Sequence, residues 1–205
     1  VLEKAVALGP EPEEAADLEY RMGSMMLKQG QDADEAAMHY VNALEMNPFH
    51  TGALAALEGH ARDMGDWEQA AELVQVKVGQ VEPEEQLDLF KELGQIFGDK
   101  LGRPDDSVAA LEAARDLAPD DVEILSPLAD AYYGAGRYDD AEPLLEQLLS
   151  SSGRGKRKDK ARFTFRLGTI AEARDDMDGA REHFDKAYRL DSTYGPTLVA
   201  LGRIH

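Results

Sequence analysis

Five stretches of this 205-residue chain repeat one pattern at intervals of 34 to 39 residues: MGSMMLKQG from Met22, LEGHARDMG from Leu57, LGQIFGDKLG from Leu93, LADAYYGAG from Leu128 and LGTIAEARDD from Leu167. LGRIH, from Leu201, opens a sixth. After each full stretch come a turn, a small residue (Ala36, Ala70, Ser107, Ala141, Ala180) and, four residues on, a larger one (Tyr40, Val74, Leu111, Leu145, Phe184). A unit of this length cannot bury its apolar face alone, so neighbouring units must stack and seal one another. This periodicity constrains the fold more than any other feature.

Each unit reads as two helices joined by a turn. The turns are Gly30-Gln31-Asp32, Gly65-Asp66, Gly102-Arg103-Pro104, Gly136-Arg137 and Asp175-Asp176. Gly or Ala follows the leading Leu in most units, where the two helices must cross closely. The second unit departs, with Glu58 then Gly59, and its first helix is expected to be shifted or irregular. Asp34, Asp66, Asp105 or Asp106, Asp139 and Asp178 are expected as caps at the start of each second helix. Pro127, Pro143 and Pro196 are expected in first helical turns, where a missing N–H costs little. Extra residues near Lys100–Arg103 read as a lengthened turn. Trp67 and the methionines Met22, Met25, Met26, Met38 and Met46 read as core.

The pattern resembles the tetratricopeptide repeat (TPR) over nearly the whole chain. The resemblance implies an all-α fold, a right-handed α-solenoid of stacked helix–turn–helix repeats. It divides residues 1–205, read as a single array, as follows: 1–12, the second helix of a truncated repeat; 13–50, 51–86, 87–121 and 122–153, repeats; 154–160, a basic loop; 161–194, a repeat; 195–205, the first helix of a truncated repeat. Leu2–Pro10 matches Tyr40–Pro48 in pattern, with Leu2, Ala5, Val6 and Leu8 at helical spacing before Gly9-Pro10. Both ends cut through a repeat, which reads as a piece of a longer array whose bare apolar ends would favour end-to-end self-association.

Charge is unevenly placed. Residues 1–149 hold 33 Asp/Glu and 10 Lys/Arg, a net of −23, whereas residues 150–205 hold 8 and 12, a net of +4. The front should repel nucleic acid and anionic lipid. No run of 18 apolar residues is present, so no membrane-spanning helix or membrane partner is expected. The chain has no cysteine, which excludes disulfides and thiolate chemistry and suits a reducing, cytoplasmic compartment.

The resemblance implies that first helices line a concave groove suited to an extended peptide or a partner helix. The groove residues would be Tyr20, Ser24, Lys28, Arg62, Lys91, Gln95, Asp130, Tyr133, Arg162, Phe165 and Arg166. Tyr20, Tyr133 and Phe165 would be aromatic anchors. The small Gly52, Ala55 and Gly59 would let a ligand backbone approach closely. Some family members clamp a partner's C-terminal carboxylates. Lys91, Gln95, Arg162 and Arg166 are the nearest equivalent, but Ser126, Pro127 and Asp130 stand where an asparagine is wanted, so the clamp is incomplete. In SSSGRGKRKDKAR, residues 150–162, a cluster of Arg154, Lys156, Arg157, Lys158 and Lys160 offers an anion contact. Its blander reading is a solvated loop with positive charge near a helix C-terminus. No aromatics interleave these cations, so RNA stacking is not indicated.

No catalytic motif, ligand-spaced histidine pattern or complete phosphate loop is present, and paired carboxylates such as Asp175-Asp176 sit at turns, where capping explains them. The chain is therefore expected to be non-enzymatic, without cofactor or metal: a scaffold that binds another protein. The alternatives are a substrate-recruiting segment of a larger enzyme, or a binder of an anionic ligand or RNA through its basic rear part.

Overall fold

Amphipathic stretches bounded by Gly, Pro and Asp dictate an all-α molecule, and eleven helices are present in a computed structural model that describes residues 11–119, 121–151 and 157–204. They are α1 (Pro12–Lys28), α2 (Ala33–Met46), α3 (Thr51–Met64), α4 (Trp67–Val78), α5 (Pro83–Gln95), α6 (Pro104–Leu117), α7 (Val122–Gly134), α8 (Tyr138–Ser151), α9 (Arg157–Ala173), α10 (Met177–Leu190) and α11 (Gly195–Ile204). The expectations placed on residues 1–10 and on Arg154 and Lys156 lie outside the described residues. No strand occurs among the described residues.

The chain divides into two compact units, with the boundary at Leu101/Gly102. In the first, α1 packs on α2, α2 on α3, α3 on α4 and α4 on α5. In the second, each helix from α6 to α11 packs on the next. The boundary falls in the turn between α5 and α6, inside the segment 87–121 read as one repeat.

The turns explain the period. Gly30, Gly65, Gly102, Gly136 and Asp175 all have positive φ, between 61° and 74°, at the five reversals from first to second helix. Four use glycine, which adopts this conformation freely; the fifth forces it on an aspartate. Close helix crossing explains the small residues. A Cβ on Gly23 would lie 2.7 Å from the Ala36 carbonyl oxygen, and one on Gly168 would lie 2.7 Å from the Phe184 ring.

Several sequence expectations are corrected. The helix caps are Asp32, Asp66 and Asp176, whose carboxylates accept from Asp34 N–H at 2.8 Å, Gln69 N–H at 3.1 Å and Gly179 N–H at 2.9 Å. Asp34 and Asp178 instead lie in the first turn, as do Asp105, Asp106 and Asp139, where the helix dipole still favours them. Pro127 and Pro143 are interior, each the sixth residue of its helix; Pro196 alone sits in a first turn. The extra length near Lys100–Arg103 is taken up mainly by a π-helical turn, Ile96–Lys100, which continues α5 by inserting a residue into the helix rather than lengthening the loop. The expected basic loop is helical from Arg157, the first residue of α9. The methionine reading fails for four of the five. Met22, Met25, Met38 and Met46 are exposed, because α1 and α2 bury their alanine and glycine faces instead (Ala16, Gly23, Ala36, Ala43).

The second repeat is not shifted. Glu58 occupies the place that Gly23 and Gly168 hold in their repeats and is 7% exposed. Its carboxylate accepts from Lys77 Nζ across the helix pair at 2.8 Å and from Arg62 Nε at 2.8 Å. Arg62 also pairs with Glu92 of α5.

Candidate functional site

The second unit brings predicted groove residues together. α7 and α9 are first helices of successive repeats, and the four-residue spacing of Ser126 and Asp130, and of Arg162 and Arg166, sets each pair on one face of its helix. Arg162 donates to the Asp130 carboxylate at 2.9 Å and to Ser126 Oγ at 3.4 Å. Arg166 pairs with the other Asp130 oxygen, and its guanidinium lies over the Tyr133 ring, 5.0 Å from the centroid. Tyr133 also packs on Tyr138, with centroids 5.9 Å apart. Burial pushes the Tyr133 phenol above its ordinary pKa, opposed by a hydrogen bond with Thr169, and burial lowers that of the Arg166 guanidinium.

This surface combines a tyrosine face, two guanidiniums and one carboxylate, all part-buried. Such groups recognise both the apolar and the polar parts of a protein ligand. Both arginines are engaged by Asp130 and Arg162 lies 3.9 Å from Asp159, so the cluster is internally neutralised rather than an open anion trap.

Phe165 points elsewhere. It packs on Phe184 at 5.4 Å and on Tyr194 at 5.6 Å, as part of the second unit's core. Of the basic segment, Arg157 donates to the Arg189 carbonyl at 3.2 Å and thereby caps the end of α10; Lys158 is exposed and Lys160 half-buried. The blander reading of that segment, a cation at a helix C-terminus, describes Arg157 well.

In the first unit the predicted residues serve mainly its own packing. Tyr20 packs on Tyr40 at 5.8 Å and on His50 at 5.0 Å, and a Cβ on Gly52 would meet its ring at 2.8 Å. Gly52 is thus the seat of Tyr20, not an opening for a ligand backbone. Ser24 Oγ lies 3.5 Å from the Tyr40 hydroxyl. Arg62 belongs to the Glu58 network. Trp67, read as core, is half-buried instead, with Lys100 Nζ 4.8 Å and the Arg62 guanidinium 5.9 Å from its ring centroid. Lys28 and Gln95 are exposed and Lys91 is half-buried.

The sequence reading missed a cleft of about 270 Å³ in the first unit, between α2, α3 and α4. Met38 and Val41 rim it, Leu57 lines it, and His60 reaches Asp34 at 3.2 Å. The available signal is Met38 on the outward face of a second helix, a residue that the sequence alone reads as core. Among the described residues no three His, Asp or Glu side chains gather to hold a metal ion, and no helix is long and apolar enough to cross a membrane.

Comparison with known proteins agrees with the repeat. The tetratricopeptide repeat family model matches residues 99–149 and 126–194. No curated protein matches the chain in sequence. Solved structures match its fold. YrrB, described as a TPR protein with an unusual peptide-binding site, has a TM-score of 0.65 at 18% identity, covering 90% of both chains. The C-terminal part of a TPR repeat-containing protein from Cytophaga hutchinsonii has a TM-score of 0.60 at 16% identity, covering 91% of this chain and 73% of that one. MamA from Desulfovibrio magneticus RS-1 has a TM-score of 0.56 at 19% identity, covering 88% and 97%.

Proposed function

From the premise that residues 99–194 match the tetratricopeptide repeat, in a chain that is similar in fold to a solved TPR protein over 90% of its length, we propose that this protein is a non-catalytic scaffold that binds a peptide or helix of another protein. The binding face is that of the first helices, centred on α7 and α9. One observation carries this reading: Ser126, Asp130, Tyr133, Arg162 and Arg166, scattered over 41 positions, converge on one half-buried surface. Tyrosine and arginine are the side chains most often dominant in protein recognition. YrrB, of like fold, is described by its peptide-binding site, which supports peptide capture as the mode. The compartment is reducing, such as the cytoplasm, in keeping with a chain that lacks cysteine.

The test uses peptides selected from a displayed random library on the whole chain. Tyr133→Ala should weaken their binding about tenfold or more, with helicity by circular dichroism unchanged, whereas Met38→Ala on the cleft of the first unit should not. Peptides that bind Tyr133→Ala at full strength and lose affinity on Met38→Ala would place the binding surface in that cleft and sink the reading.

A further inference from the structure

Repeat symmetry singles out the outward face of α2. The residues equivalent to Val41 in the other repeats are Gln75, Glu112, Glu146 and Asp185, and those equivalent to Met38 are Glu72, Ala109, Pro143 and Glu182. An outward helix face in water normally carries polar side chains, as every other repeat does at the first of these positions. Here the pair is apolar, with Met38 67% and Val41 40% exposed. A single exposed apolar residue needs no explanation. These two lie on adjoining turns at the rim of the cleft between α2, α3 and α4, which Leu57 also lines.

Charge selects what covers them. Residues 11–101, the described part of the first unit, hold 20 Asp or Glu against 6 Lys or Arg. No lysine or arginine is among the described residues that line the cleft. Its one carboxylate, Asp34, pairs with His60 at 3.2 Å, yet the Asp34 side chain is 74% exposed and remains open to a second donor. The cleft volume of about 270 Å³ falls below the roughly 300–1,000 Å³ of small-molecule sites and suits one anchoring side chain.

We propose that this cleft is a second docking surface, independent of the one on α7 and α9, for a basic amphipathic helix of another protein. A leucine or methionine of that helix enters between Met38, Val41 and Leu57, and a lysine or arginine one turn away meets Asp34. Met38 suits the role because its unbranched thioether side chain adapts to the shape of the anchor. Two copies of this chain paired through the same face would set one acidic unit against another. One anchored side chain makes a weaker contact than a peptide laid along a groove, so peptides selected for tight binding should report the surface on α7 and α9 instead.

The probe is a short synthetic amphipathic helix with leucines and lysines on adjoining turns, titrated into the whole chain carrying methyl-labelled methionine. The Met38 methyl resonance should move as the probe binds. Replacing the probe's lysines by glutamate, or its leucines by glutamine, should each weaken binding about tenfold or more. Val41→Glu, which places in α2 the residue that α6 and α8 carry there, should weaken it by a similar factor. Tyr133→Ala should leave the probe's affinity unchanged, so this proposal and the peptide-binding reading fail separately. A probe that does not bind, or that binds equally well with glutamate for lysine, would overturn the proposal. Equal binding with glutamine for leucine would also do so, by reducing the contact to attraction towards an acidic surface. So would a Met38 methyl that stays still while the probe binds. A Met38 methyl that moves with protein concentration alone would give the face to a second copy. The unaltered chain decides each of these outcomes even if Val41→Glu fails to fold.

Discussion

The second and fifth repeats are related by an offset of 110 residues, and they close the same helix crossing in opposite ways. In α9–α10 the crossing residue is Gly168, set directly against the buried Phe184 ring, with Ala187 opposite. In α3–α4 it is Glu58, and Lys77 takes the place of Ala187. One pair is held by close contact between uncharged groups and the other by a part-buried ion network that runs through Arg62 to Glu92 of α5. Two other equivalent positions differ as well. Leu54 of α3 becomes Thr164 of α9, and the turn residue Gly65 becomes Asp175. The repeat thus fixes where two helices meet but not what chemistry joins them.

The largest break in this comparison should come from Gly168→Ala. The new methyl would lie 2.7 Å from a fully buried ring that has no free space to enter. We expect a loss of about 2–3 kcal/mol in urea unfolding, and the same methyl at exposed Gly59, which meets nothing within 4 Å, should not destabilise. Glu58→Ala should cost about 2 kcal/mol, less than for a fully buried pair, because Lys77 and Arg62 are each 29% exposed and can reach water. Adding Lys77→Met should restore part of that loss, since it removes the stranded cation; a double variant less stable than Glu58→Ala would refute the ionic account of this crossing.

The remaining differences should shift stability upward. The Thr164 hydroxyl is buried and has no hydrogen-bond partner, so Thr164→Val should gain about 1 kcal/mol by removing an unsatisfied polar group at constant volume. Asp175→Gly should gain about 0.5 kcal/mol by relieving a φ of 61°, partly offset by the added freedom of the unfolded chain. Thermal unfolding of both variants checks the signs; a destabilised Thr164→Val would show that its hydroxyl is bonded to water.

Much of the fold was legible because it rests on residue size and backbone conformation, which single letters report. The glycines at turns, the alanines of the second helices and the period itself all carried over. The errors share a cause. Capping depends on where a helix begins to within two residues, which moved Asp34 to Asp32 and Asp178 to Asp176. The exposure of Met22 and Met38 depends on which face a neighbour covers, and composition does not report that. Of the candidate site, the choice of Asp130, Tyr133, Arg162 and Arg166 came from helical spacing together with the repeat resemblance, which implies that first helices line the groove. Their mutual pairing depends on partners from the next repeat, and the withdrawal of Tyr20, Arg62 and Phe165 into local packing depends on partners distant in sequence, such as Tyr40, Glu92 and Phe184, that no local pattern reports.

The two interior prolines bear on motion. Pro127 cannot donate to the Glu123 carbonyl, nor Pro143 to that of Asp139, so α7 and α8 each lack one rung near the start. Amide exchange with deuterium should therefore begin in the opening turns of these two helices before it reaches α9 or α10. Since α7 presents Ser126 inside the turn that lacks this rung and Asp130 just past it, the scaffold would have its most easily loosened backbone at the edge of the surface with which we propose it grips a partner.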